Sequence, residues 1–287
     1  MKILHVAVFT PNSTNVWQAD AFEQLGHEVI RFDYRQIANE IGLDDRDIKL
    51  VGICKDQKPD ITLFSKCNIM HYRVVECCRA MSKTIMWLMD GMENYDSELA
   101  DKIGHCDFTF CSVQACVNES KKYCKKVYRL QGGYNAKVHY PMDIPKIRDV
   151  SFIGVVHGYV LPYRAQLLNE VNFDVINGVY NQDHSKVVSE TKINLSLTNN
   201  VGVSNRIYKL MAAKGFVLTM PWEGIDIDFK VGTHLDIFHN VQELKYKIKY
   251  YLENSDIREK IAVQGYKKVK DYDNINYAKT IIKMVTQ

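Results

Sequence analysis

Short runs rich in β-branched and aromatic residues alternate with helical patterns in two successive series along this chain. That alternation restricts it to parallel, doubly wound sheets. In the first series KILHVAVF (2–9), HEVIRFDY (27–34), PDITLFS (59–65), KTIMWLMD (83–90) and CDFTFCS (106–112) read as strands, with helices near 16–26, closed by Gly26, and near 69–81. The pattern then breaks over QGGYNAKVHYPMDIPKIR (131–148), whose two glycines, two prolines and lack of periodicity mark a linker. A second series follows, with strands expected at VSFIG (150–154), FDVIN (173–177), INLSL (193–197), FVLTM (216–220) and HLDIF (234–238). The expected fold class is α/β, with two tandem Rossmann-like domains facing an interdomain cleft. The domains are placed at 1–145 and 146–272, with a terminal helix over 273–287 packing back on the first.

At 287 residues, 46% apolar and 25% charged, the chain suits two folded cores without a long disordered tail. Its start, MKILHVAVFTPNS, meets a Pro-Asn-Ser turn too early for a signal peptide and reads as a first strand. No apolar stretch approaches the roughly 20 residues that cross a bilayer. All eight cysteines lie in the first 124 residues and none forms a C-x-x-C pair, so reduced thiols in a cytoplasm are expected and no metal site. A net charge of +3 is too mild to argue for nucleic acid, and the lysines near the chain's end fall on helical patterns as a solvated face. Neither G-x-G-x-x-G nor a Walker A sequence occurs, which disfavours dinucleotide oxidoreductases and removes P-loop kinases. The oligomeric state is not legible.

In doubly wound sheets ligands sit in the loops leaving the carboxyl ends of the strands. The loop after the first strand offers Thr10, Asn12 and Asn15, taken as the acceptor side, and Asp90 ends the strand TIMWLMD, where a carboxylate suits a general base or the cap of a turn. In the second half Gly154 and His157 leave the first strand, and Arg164 lies where the next helix begins. Tyr180 offers a stacking face, and Glu223 and Gly224 follow a later strand.

The most informative stretch is TNNVGVSNRIYKLMAAKG, in which Ser204 or Asn205 caps a helix over 204–214 and Gly215 stops it. Arg206 and Lys209, spaced i and i+3, then share a face near a helix N-terminus. Two cations there are unfavourable unless an anion sits among them, and a diphosphate fits. Asp226-Ile227-Asp228 has the D-x-D spacing of a metal-dependent transferase, but Asp271-Tyr272-Asp273 repeats it by chance, so surface carboxylates are expected. Asn240 and Glu243 make a capping-box-like start for VQELKYKIKYYL.

VSFIG…YR at 150–164, SNRIYKLMAAKGFVLT at 204–219, EGIDIDFKVGTHLDIF and VQELKYKIKYYLENSDIREKIAVQGYKKV resemble the C-terminal domain of GT-B glycosyltransferases of the CgeB-like group. The first half matches only in outline. The resemblance implies a nucleotide-sugar donor (a UDP-sugar) as co-substrate, no obligatory metal or other cofactor, and an acceptor held mainly by the N-terminal domain. One departure stands out. Many relatives have Arg-x-aromatic-Glu, its carboxylate suited to ribose hydroxyls, where this chain has Arg206-Ile207-Tyr208-Lys209, and an ammonium cannot accept a hydrogen bond. The departure sets three alternative expectations: Lys209 turns to phosphate, another residue such as Glu223 takes the ribose, or donor binding is weakened, as in a nucleotide- or glycan-binding module of the same fold that is catalytically weakened. The acceptor is open among glycan, protein, metabolite and a hydroxymethylated DNA base.

Overall fold

The computed structural model describes residues 1–156, 166–167, 169–197 and 204–287. It is an α/β chain with two wholly parallel sheets. The first has the order β2-β1-β3-β4-β5-β6, from β1 (Lys2–Ala7), β2 (Glu28–Asp33), β3 (Ile61–Ser65), β4 (Lys83–Leu88), β5 (Phe108–Cys111) and β6 (Val127–Arg129). The second has the order β11-β10-β9-β7-β8, from β7 (Arg148–Ile153), β8 (Asp174–Ile176), β9 (Thr191–Ser196), β10 (Val217–Thr219) and β11 (Asp236–Ile237). Contacts divide the chain into residues 1–132 with 274–287, and residues 133–273.

In the first unit β3 is buried at every position and β4 at all but its first, because a parallel sheet is covered on both faces. One face carries Leu4, Val6, Phe64, Met86 and Leu88, against the helices α2 (Tyr34–Ile41), α3 (Leu43–Gln57) and α4 (Tyr72–Arg79) and their flanks. The other carries Ile3, Leu63, Ile85, Trp87 and Phe110, and meets Phe22 of α1 (Thr14–Gln24) and Tyr277, Ala278, Ile281 and Val285 of the last helix, Asn274–Thr286. Lys83 Nζ donates to the Val285 carbonyl at 2.9 Å, fixing that helix's end. Asp33 caps α2 by accepting from the amides of Arg35 and Gln36, while its other oxygen accepts from Phe9 N at 2.7 Å and so ties down the loop after β1.

In the second unit one sheet face carries Val150, Phe152, Ile193, Leu195 and Leu218, and the other packs Ile153 and Val217 on Val188, Ile207 and Met211. The expected helix after residue 240 spans Val241–Glu253: Asn240 Oδ1 accepts from Glu243 N at 2.9 Å, and the Glu243 carboxylate accepts from His239 N at 2.8 Å. Expected β-structure at 234–238 reduces to the two residues of β11 at the sheet edge. Short helices over 34–57 and 97–104 and strand β6 were not legible in the sequence pattern.

Gly133 turns with φ +64, and a Cβ there would collide with the Tyr272 carbonyl next to the Tyr134–Asp273 bridge. Gly133→Ala should therefore destabilise the chain by roughly 2–4 kcal/mol, combining left-handed strain with a backbone clash. Thermal denaturation checks this, and an unchanged Tm would contradict the packing described.

Candidate functional site

Both sheets reverse direction between their first and third strands, β1/β3 and β7/β9, and such a switch point opens a crevice at the carboxyl ends of the strands. In the second unit the chain beyond β7 and β9 passes into residues 157–165 and 198–203, outside the described residues. His157 and Arg164 lie outside the described residues.

Gly154 has φ +147 and its amide donates to Ile176 O at 2.9 Å. A Cβ at 154 would lie 2.8 Å from Arg206 Nη2 and 3.1 Å from the Phe152 ring, so only glycine lets the guanidinium settle there. Arg206 lies over the Phe152 ring, 4.7 Å from its centroid, a cation–π contact at the carboxyl end of β7. It is the second residue of α8 (Asn205–Ala212), here numbered after α5 (Ser97–Gly104), α6 (Gln114–Ser120) and α7 (Asn181–Glu190). Ser204, not Asn205, is the cap, its Oγ accepting from Arg206 N at 3.3 Å. Lys209 begins the second turn rather than completing the first.

Behind the cations stand two histidines for which the sequence offered no signal. Ser185 Oγ donates to Val138 O at 2.9 Å and accepts from Tyr140 N at 3.3 Å, and Ser189 Oγ accepts from Met142 N at 3.1 Å. This stitching fastens the linker to α7 and brings His139 edge-on to His184, with ring centroids 5.6 Å apart. Both are buried. Burial, then the Lys209 charge, pushes His139 down to about 3, and burial followed by His139, Lys209 and Arg206 pushes His184 well below its ordinary value. Burial first and Arg206 second lower the Lys209 ammonium to about 8. Positive charge and neutral imidazoles thus accumulate at one place in the fold, which favours an anion there. Ser196 Oγ, the last residue of β9, and Trp222 Nε1 are buried without a hydrogen-bond partner.

Tyr180 precedes α7 with its side chain exposed, Glu223 is exposed, and Gly224 is left-handed with φ +83. The D-x-D pair does not act as one. Asp226 is exposed, whereas Asp228 is buried, accepting from Tyr272 OH at 3.5 Å, which corrects the expectation of two surface carboxylates.

In the first unit Thr10 is exposed and its carbonyl accepts from Ser13 N at 3.0 Å, while Asn12 holds φ +68. Asn15 is buried and donates to Val8 O at 3.0 Å, so its amide closes the β1–α1 loop. Asp90, two residues beyond β4, forms an ion pair with Lys66 Nζ at 2.6 Å. The two line a polar cavity of about 360 Å³. Thr10, Asn12 and Asn15 do not line it.

A family model described as glycosyl transferase-like matches residues 144–283. Among solved structures, Anabaena HepE in complex with UDP-glucose superposes with a TM-score of 0.75 at 10% identity, covering 100% of this chain and 99% of that one. A glycosyltransferase from Rickettsia africae gives 0.73 at 11% identity, covering 99% and 97%. A sucrose-phosphate synthase from Thermosynechococcus elongatus gives 0.70 at 10%, covering 100% and 98%. No curated protein matches by sequence. The C-terminal half matches the glycosyl transferase-like model, and the chain as a whole shares the two-sheet GT-B fold of these structures. Among the described residues no helix is long and apolar enough to cross a membrane.

The buried histidines set the acid response. His5, His139 and His184 are neutral when folded but gain protons below about 6.5 when unfolded. Stability is therefore full above about pH 6.5 and falls as pH is lowered, each histidine contributing up to about 1.4 kcal/mol per pH unit. Melting curves between about pH 6.5 and pH 5 should show a falling Tm, and His184→Gln should flatten the slope. A Tm constant over that window would contradict neutral burial.

Proposed function

We propose that the chain moves a hexosyl group from a UDP-sugar to an acceptor hydroxyl without a metal ion, working in the cytoplasm, where its free cysteines stay reduced. The observation that carries this reading is the cation pair of α8, with Arg206 seated on Phe152 through the opening left by Gly154 and Lys209 one turn on. The Asn205 amide at the start of α8 adds a donor for the same anion. Structures of HepE with UDP-glucose and with UDP, which share this fold, support the choice of donor.

Chemically, the bond between the anomeric carbon and the donor phosphate oxygen breaks, and its electron pair leaves on the diphosphate. The acceptor oxygen bonds to that carbon. Arg206, Lys209 and Arg164 neutralise the leaving group, a role a metal fills in other transferases. Gly154 and His157 supply close backbone approach, Tyr180 stacks on the base, and Glu223, with Gly224 giving its turn, accepts from the ribose hydroxyls in place of the carboxylate that Lys209 replaces. Asp90 takes the acceptor's proton. Its Oδ2 is held by Lys66, leaving Oδ1 for the hydroxyl.

The purified chain, offered a panel of nucleotide-sugars with and without chelator, should be thermally stabilised by uridine nucleotides and hydrolyse or transfer the sugar in both conditions. Arg206→Ala should weaken UDP binding by roughly tenfold to a hundredfold, the loss of a charge-assisted contact worth about 1.5–3 kcal/mol. UDP affinity should also fall as pH rises through about 8, where the free protein's Lys209 loses its proton, and Lys209→Met should abolish that dependence. No stabilisation by any nucleotide, or an Arg206→Ala variant that binds UDP normally, would sink the proposal.

A further inference from the structure

The cavity in the first unit is lined by Arg35, Lys66, Asn68, Asp90, Glu93 and Asp96 over an apolar floor of Leu88 and Leu99. Its volume of about 360 Å³ is near the lower end for small-molecule sites, enough for one or two sugar rings and far too little for duplex DNA or a folded segment. Three carboxylates stand against two cations, so the lining is slightly negative and repels phosphates. Mixed signs over an apolar floor match a pyranose, whose hydroxyls both donate and accept while its C–H face packs on carbon.

The walls are built rigidly. Lys66 and Cys67 are both left-handed, at φ +65 and +52, a strained pair held by two buried cations from different helices. Lys102 Nζ donates to the carbonyls of Cys67 and Asn68 at 3.2 and 3.3 Å, and Arg46 Nη2 donates to Ile69 O at 3.0 Å. Asn68, one of the lining residues, has its Oδ1 accepting from Tyr34 OH and from Arg35 Nη2, each at 3.3 Å, so its amide nitrogen serves as a donor. Gly91 lacks the Cβ that would collide with the Glu93 carboxylate, so that carboxylate packs back against the Gly91 backbone in the cavity lining. Strain and buried charge spent on one loop place polar partners in fixed positions, which weakly binding polyols require.

We infer that this cavity binds a free mono- or disaccharide as acceptor, its hydroxyls donating to Asp90 and Glu93 and accepting from Lys66 and Asn68, an assignment that rests on the glycosyl-transfer reading above. Saturation-transfer NMR of the full chain with UDP present should detect glucose, N-acetylglucosamine or maltose, with at least one of them bound. Lys66→Met and Asn68→Ala should each weaken that sugar at least tenfold. The UDP-induced thermal shift, recorded on the same samples, should stay as in the unmodified chain, which separates acceptor from donor and reports a folded variant. The inference is overturned if none of the sugars shows saturation transfer while UDP still stabilises the chain, if both variants bind sugar normally, or if a hydroxymethylated oligonucleotide competes the sugar away. Absence of any UDP shift would instead count against the donor reading.

Discussion

A parallel sheet covered by helices on both faces has nowhere to display polar chemistry except at its ends. Both units obey this constraint. Their central strands are largely buried, and the candidate groups lie where strands run out, at Ser65 ending β3 and Lys66 beyond it, Asp90 after β4, Gly154 after β7 and Ser196 at the end of β9. The location of both candidate sites follows from the direction of the strands before any particular residue is considered.

The buried cations divide into two kinds by what they meet. Lys102 donates to two backbone carbonyls of one loop and Arg46 to a third while also pairing with Asp47, and both act as struts, since withdrawing either would leave buried acceptors unpaired. Lys209 stands instead beside another cation, and its charge is disfavoured both by burial and by Arg206. A strut is at rest in the isolated protein. An anion arriving there would favour both charges, and the neutral state of His139 and His184 adds no further positive charge.

The alternation of strands and helices was plain in the sequence because apolar runs in a doubly covered sheet are nearly continuous. So was the capping box of Asn240 and Glu243, while the cap of α8 was narrowed only to Ser204 or Asn205. Other parts were hidden for identifiable reasons. Leu43 and Ile48 of α3 are exposed, so no clean apolar stripe marks that helix. β11 has too few residues to display a period. Lys66 finds Asp90, and His139 finds His184, only through tertiary packing, and no spacing rule links residues on separate loops. Asp228 looked like its neighbour Asp226 in the sequence, yet one turn of a short helix sends it inward to Tyr272.

The helix Asn274–Thr286 fills the face of the first sheet with Tyr277, Ala278, Ile281 and Val285, although the whole second unit separates it from that sheet in the chain. On the ribosome the early strands must therefore wait with one apolar side uncovered while the intervening segment is translated. Nascent chains interrupted before this point carry a sticky, half-clad sheet, a natural client for chaperones, until Asn274–Thr286 emerges and closes it.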